Sequence, residues 1–299
     1  MGCATLLPAA ALAFVSLPAS GGSHLKYMSL YGWEQQLTAG MVGWINLPKG
    51  PVDITNATNP KPSLPELVAA TLSAHKQLPS PILWSLPEGV ITPGATSLPT
   101  GWDGKLVELH SHVSPLVSSG VVAGFFLGDE QCANGTCIEN QLGPVATRLH
   151  QLFDTSTGKK VLVYANEALK ICDPKRGNTS WMLPSSIDLF SVDVYSSGGL
   201  AQMAAVKAAV AECILPRLSS PSQSIMLVPG IFGNSGLPIG QGRCTGRNKY
   251  GAPAYAQNET VLALKGLFAW AKTQPRIAGF CPWVLSLTLY CVLYTVCLL

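Results

Sequence analysis

Charge is scarce in this chain: 19 basic and 16 acidic side chains make up 12% of its 299 residues, against about 25% in a typical soluble domain. None precedes Lys26 and none follows Arg276, so both ends are uncharged. Lys and Arg form no cluster and the formal net charge is +3, which excludes the electrostatic footprint of a nucleic-acid binder. Cysteine never occurs as C-x-x-C, and no H-E-x-x-H, G-x-S-x-G, Walker A or G-x-G-x-x-G pattern is present. Gly240, Gly242 and Gly246 make a near miss to the dinucleotide fingerprint, but in a loop context. His110 and His112 fall on one helix at i and i+2 and so face different ways. No metal and no cofactor is implied.

What is present is apolar. Hydrophobic residues make up 47% of the chain, too many for a disordered protein. With 29 glycines and 23 prolines, many short elements separated by loops are expected. The length suits two domains or one α/β barrel of about 250 residues.

The ends point to the secretory route. Residues 1–22 read as a signal peptide, with an apolar centre from Ala9 to Val15 and small residues from Pro18 to Gly21. Sequons begin at Asn56, Asn134, Asn178 and Asn258. Nine cysteines fit an oxidising compartment, and Cys132 and Cys137 are close enough to close a small disulfide loop. The pairing of Cys172, Cys213, Cys244 and Cys281 stays open, while Cys3 belongs to the leader and Cys291 and Cys297 to the tail. A secreted or cell-surface glycoprotein is expected. The uncharged stretch from Trp283 to Leu299 meets the lower limit for a membrane helix, about 17 residues. Membrane attachment through it, part of a lipid-anchor signal, and an altered gene terminus are alternative readings.

Between the ends, short apolar runs alternate with helical patterns, as in βα units on a parallel sheet. Eight strands are expected: Tyr27–Trp33, Met41–Leu47, Pro81–Ser85, Val121–Gly128, Lys160–Ala165, Ile187–Tyr195, Ser224–Pro229 and Arg276–Trp283. Ser63, Pro65 and Glu66 spell a capping box at a helix start. Leu106, Leu109, Val113 and Leu116 form one helical stripe, Val145, Leu149 and Leu152 another; 200–214 and 256–272 complete the helices. The pattern predicts a (β/α)8 barrel over 23–283, incomplete at its first and last units, followed by an apolar tail over 284–299. The alternative is an open doubly wound sheet. It is favoured by the short interval Glu34–Gly40, too few residues for a crossover, and by the lack of a clear helix between Ala168 and Ser186.

In a barrel the site lies at the C-terminal ends of the strands. Asp129 and Glu130 end the fourth expected strand, Glu167 follows the fifth, Glu34 follows the first, and Asp193 lies near the end of the sixth. Alternation turns Ser191, Asp193 and Tyr195 to one side and Phe190, Val192 and Val194 to the helices. Carboxyls from the fourth and sixth strands then meet at about 5–9 Å, the range that glycosidases use. Plainer roles compete. Asp129 is also suited to capping the next helix, Asp193 to a buried structural bond, and Glu167 to a solvated loop. A regular strand cannot turn both Asp129 and Glu130 inward. Tyr31, Trp33, Trp84, Tyr164, Tyr195 and Trp283 sit at strand ends, where aromatic planes pack against sugar C–H faces.

These motifs resemble those of the (β/α)8 glycoside hydrolase superfamily across roughly residues 27–283. Gly128-Asp129-Glu130 is similar to the Gly-Asp-Glu of family 20 hexosaminidases, and Asp193-Val194-Tyr195 to the sixth-strand motif of chitinase-like barrels. The resemblance implies Glu130 as general acid and Asp129 as its partner on the substrate. Asp193 completes the expected catalytic set, with Tyr31, Trp84, Tyr164, Asn166, Tyr195 and Trp283 as expected contacts to a carbohydrate. The sequence departs from the common barrel scheme in two ways: no carboxylate follows Leu227–Phe232, and the fourth strand carries no Asn-Glu pair. A non-catalytic glycan-binding or cell-surface barrel is therefore the second reading.

Overall fold

In a computed structural model of the chain, residues 27–28, 63–77, 81–132, 134–173, 180–194, 199–231, 257–280 and 283–284 are described. They contain eight strands: β1 (Tyr27–Met28), β2 (Ile82–Ser85), β3 (Val122–Asp129), β4 (Leu162–Ala168), β5 (Leu189–Val194), β6 (Ser224–Ile231), β7 (Ile277–Phe280) and β8 (Trp283–Val284). Every pairing is parallel, in the order β1-β7-β6-β5-β4-β3-β2, with β8 beside β6.

That order decides the architecture. From β2 to β7 each strand lies beside its neighbour in sequence, and the first strand lies against β7. A doubly wound sheet would reverse its order at a switch point, with early strands in the middle. Here the order runs one way and returns to its start, which is the (β/α)8 arrangement. Among the described residues no pair joins β1 to β2. The expected second strand, Met41–Leu47, lies outside the described residues.

The helices are α1 (Leu64–Gln77), α2 (Trp102–Ser119), α3 (Gly135–Cys137), α4 (Gly143–Thr157), α5 (Gly199–Ala208) and α6 (Gln257–Ala271), with π-helical segments at Ile138–Leu142 and Ala209–Ile214. At the start of α1 the Ser63 amide and hydroxyl both donate to the Glu66 carboxylate, at 2.7 and 2.8 Å, and these bonds lower the Glu66 pKa. Leu106, Leu109, Val113 and Leu116 of α2 and Val145 and Leu149 of α4 are buried, as their spacing requires. The sheet is buried on both faces, which explains its continuous apolar runs. Trp84, Phe125, Leu127, Val163, Phe190, Val192 and Leu227 join the helix-side core, while Leu83, Phe126, Tyr164, Leu189, Met226 and Val228 form a second cluster inside the sheet. No described helix is long and apolar enough to cross a membrane; of the expected tail, Val284 belongs to β8 and the rest lies outside the described residues.

Two disulfides are present among the described residues. Cys132–Cys137 closes the local loop expected from its spacing. Cys172–Cys213, a pairing the sequence leaves open, ties the 3-10 turn after β4 to the π-helical segment after α5. Asn134, a sequon residue, caps α3 by accepting the Cys137 N–H at 3.2 Å.

Gly124 shows how tightly β3 is set. It pairs with Leu83 on one side and Leu162 on the other, next to a register shift at Ile82/Leu83. A Cβ at Gly124 would overlap the Leu162 main chain, which cannot yield as a side chain can. Gly124→Ala is expected to cost about 2–3 kcal/mol, read as a lowered urea midpoint with unchanged slope; a wild-type midpoint would refute the close approach.

At the opposite end of the strands, His150 of α4 lies 2.9 Å from Asp154 Oδ2 through Nδ1, and 3.0 Å from the Ser186 carbonyl and 3.2 Å from Asp188 Oδ2 through Nε2. Both ring nitrogens face oxygens that only accept, which an imidazolium satisfies and a neutral ring does not. Burial pulls the His150 pKa down, but hydrogen bonds and charges from Asp188 and Asp154 outweigh it and the net shift is upward. Asp188 goes the other way: burial raises its pKa, but His150, Lys160 and the Val163 amide bring it below the ordinary value. A raised His150 pKa stabilises the fold fully below the unfolded value of 6.5 and is lost as pH rises through the folded one. The lowered Asp188 pKa stabilises above 3.8 and is lost as pH falls. Thermal midpoints of the wild type should therefore decline from about pH 6 to about pH 8, and less steeply in His150→Gln. Parallel slopes in the two proteins would count against the imidazolium.

Candidate active site

The ends of β3, β4 and β5 bring the acidic residues together by a local irregularity. Phe126 pairs with Tyr164, and the next register pair is Asp129 with Asn166, so β3 carries one more residue than β4 over this interval. This β-bulge reverses the alternation beyond it. Phe126 faces inward and Leu127 outward, and a regular strand would turn Asp129 outward; the extra residue returns it to the inner face beside Asn166. Gly128 makes this possible at φ +135°, where a Cβ would also strike the Gln131 side chain. Glu130 follows at φ +51°, a left-handed conformation unusual for a non-glycine residue.

Asn166 organises the rim. Its Nδ2 donates to Asp129 Oδ1 at 2.8 Å and to Asp193 Oδ1 at 2.9 Å. Its Oδ1 accepts from the Ser191 hydroxyl, so Tyr164 OH donates to Ser191 Oγ, at 2.7 Å. Two oxygens bound to one nitrogen lie within about 6 Å of each other. Carboxylates from β3 and β5 thus converge across β4. The Asn166 carbonyl also accepts the Glu130 N–H, at 2.9 Å.

Glu130 is exposed beside this cluster. Partial burial of its carboxyl, then the charge of Asp129, raise its pKa, and Lys170 opposes them. Asp129 is exposed and Asp193 buried. Asp129 does not cap α3, a role taken by Asn134.

Several expected residues are placed otherwise. Trp84 belongs to the helix-side core, in register with Phe125, because β2 presents Leu83 to the interior instead. Tyr164 is fully buried inside the sheet, stacked on Phe126 at 5.2 Å, with its hydroxyl bonded to Ser191. Asn166 is fully buried, and both amide hydrogens and its carbonyl oxygen are bonded within the protein. None of the three offers a free surface to a ligand. Glu167 is no loop residue: β4 extends to Ala168, and Glu167 is fully buried. Tyr31, Trp33, Glu34 and Tyr195 lie outside the described residues; Trp283 opens β8 in register with Gly230. Among the described residues no group of His, Cys, Asp and Glu is arranged to hold a metal.

No family model matches the sequence, and no curated protein matches it. Among solved structures, the chain is similar to a GH113 β-1,4-mannanase at 12% identity and TM-score 0.46, covering 88% of each chain. It is also similar to β-glucuronidase from Ruminococcus gnavus at 10% identity and TM-score 0.38, covering 71% of this chain and 34% of that one. The chain thus spans about a third of the β-glucuronidase length. At such scores the likeness is distant, and the fold rests on the strand order.

Proposed function

We propose that this rim is the acid site of a secreted glycoside hydrolase-type barrel. Glu130 is the proton donor to the glycosidic oxygen. Asp129 or Asp193 positions the substrate and stabilises the oxocarbenium-like transition state, and Tyr195 and Trp283 line the sugar site. The observation that carries this reading is the single Asn166 nitrogen bound to carboxylates of two different strands. It gathers the Asp129 and Asp193 carboxyls at a strand-end rim next to Glu130, whose N–H is held by the Asn166 main-chain carbonyl, and cleavage of a glycosidic bond needs acidic groups grouped in this way. The raised pKa of Glu130 supports the same role, since a donor must hold its proton at working pH. The Gly-Asp-Glu similarity to family 20 hexosaminidases suggests Asp129 as the group that meets a substituent on the sugar.

One observation favours a non-catalytic glycan-binding barrel instead. β6 ends in Val228-Pro229-Gly230-Ile231, with no carboxylate where barrel hydrolases commonly place one. A panel of aryl glycosides and a glycan array, run on the same purified protein, separates the two. Turnover supports the hydrolase; binding without turnover supports the second reading and overturns the first.

A further inference from the structure

We propose that Glu167 is the positioning residue of the rim: buried on the helix side of β4, its carboxyl grips the Cys132 amide and so holds the turn that presents Asp129 and Glu130. The regular β3–β4 pairing ends at Asp129, yet Cys132 is fully buried three residues further on. A buried N–H needs an acceptor, and with the ladder finished it takes Glu167 Oε2 at 2.9 Å. Two successive residues of β4 therefore act on the same turn from opposite faces. Asn166 holds Asp129 by its side chain and Glu130 by its carbonyl, while Glu167 holds Cys132.

The surroundings favour the protonated form of this carboxyl over the ionised one. Glu167 is fully buried, and among the described residues its Oε1 has no hydrogen-bond partner. A carboxylate there would leave much of its charge unsolvated. Burial is the main influence raising its pKa well above the ordinary value; the Cys132 amide and Lys170 oppose it, and the charges of Asp129 and Glu130 add to it. Ionisation would draw water toward Oε1 and loosen the turn. The catalytic half of this inference rests on the hydrolase reading; the hold on the turn does not.

The test compares wild type, E167Q and E167A by amide exchange at Cys132 and by turnover of aryl glycosides. Gln keeps the size and a carbonyl acceptor but cannot ionise. Exchange in E167Q should stay within about 3-fold of wild type near neutral pH, and E167A should exchange at least about 10-fold faster. As pH rises, wild type should lose protection beyond what base catalysis explains, and E167Q should not. Turnover should fall about 10-fold in E167A, mainly in kcat, and recover in E167Q. Equal protection in E167A, or E167Q exchanging as fast as E167A, would overturn the proposal, as would an E167Q that does not fold. If E167A alone fails to fold, the pH dependence of wild type against E167Q decides. If wild type turns over no glycoside, the hydrolase reading is lost while the exchange measurements still decide the role of Glu167.

Discussion

Glu130→Gln is expected to lower the turnover of aryl glycosides by about 10²–10⁴-fold while the protein stays folded, the scale of losing one general acid. Folding should survive because Glu130 is exposed and its structural bond is made by the main chain, from its N–H to the Asn166 carbonyl. Gln preserves the shape and the φ of +51° but has no proton to give. The loss should be largest for poor leaving groups, which need protonation most, and small for nitrophenolate-type ones. The raised pKa of Glu130 extends its protonated form to higher pH than an ordinary Glu. The wild-type rate should therefore fall on the alkaline side as that proton is lost, and the residual rate of E130Q should lack this limb. Equal turnover in both proteins would remove Glu130 from the mechanism.

Asn166→Asp should be the most damaging change of near-constant shape. It keeps the acceptor for the Ser191 hydroxyl and removes the amide that donates to Asp129 and Asp193. It also sets a third carboxyl within hydrogen-bonding distance of two others in a buried position. Leaving a buried acceptor without its donor costs about 1–3 kcal/mol, and more where that acceptor is charged. The new group escapes part of that cost by binding a proton, so its folded pKa is raised above the unfolded one. The destabilisation should accordingly grow as pH rises above the ordinary Asp range and shrink as pH falls toward it. Chemical denaturation at about pH 7 and at about pH 4.5 measures both ends. A variant equally stable at both would show that the amide does not bridge the carboxylates.

The helices and most strands were legible in the residues because their signals are local. The α2 stripe from Leu106 to Leu116 and the apolar run of β3 declare their buried faces by spacing alone, and Ser63 with Glu66 marks the start of α1. The face of Asp193 was legible too, since β5 alternates regularly. Trp84 misled because a short apolar strand buried on both sides does not reveal which face meets the helices. Tyr164 and Asn166 looked like ligand contacts because polar groups near strand ends often are. Their neighbours Ser191, Asp129 and Asp193, distant in sequence, consume those groups instead.

The residues by themselves determined a parallel α/β chain with acids near strand ends, because hydrophobic periodicity and capping act over a few positions. Only the tertiary structure decided that β1 lies beside β7, that Cys172 meets Cys213, and that Glu167 is buried. Each depends on which distant segments become neighbours. The bulge at Gly128 shows the difference most sharply. One extra residue turns Asp129 from the outer to the inner face, and that count exists only relative to the strand paired with it.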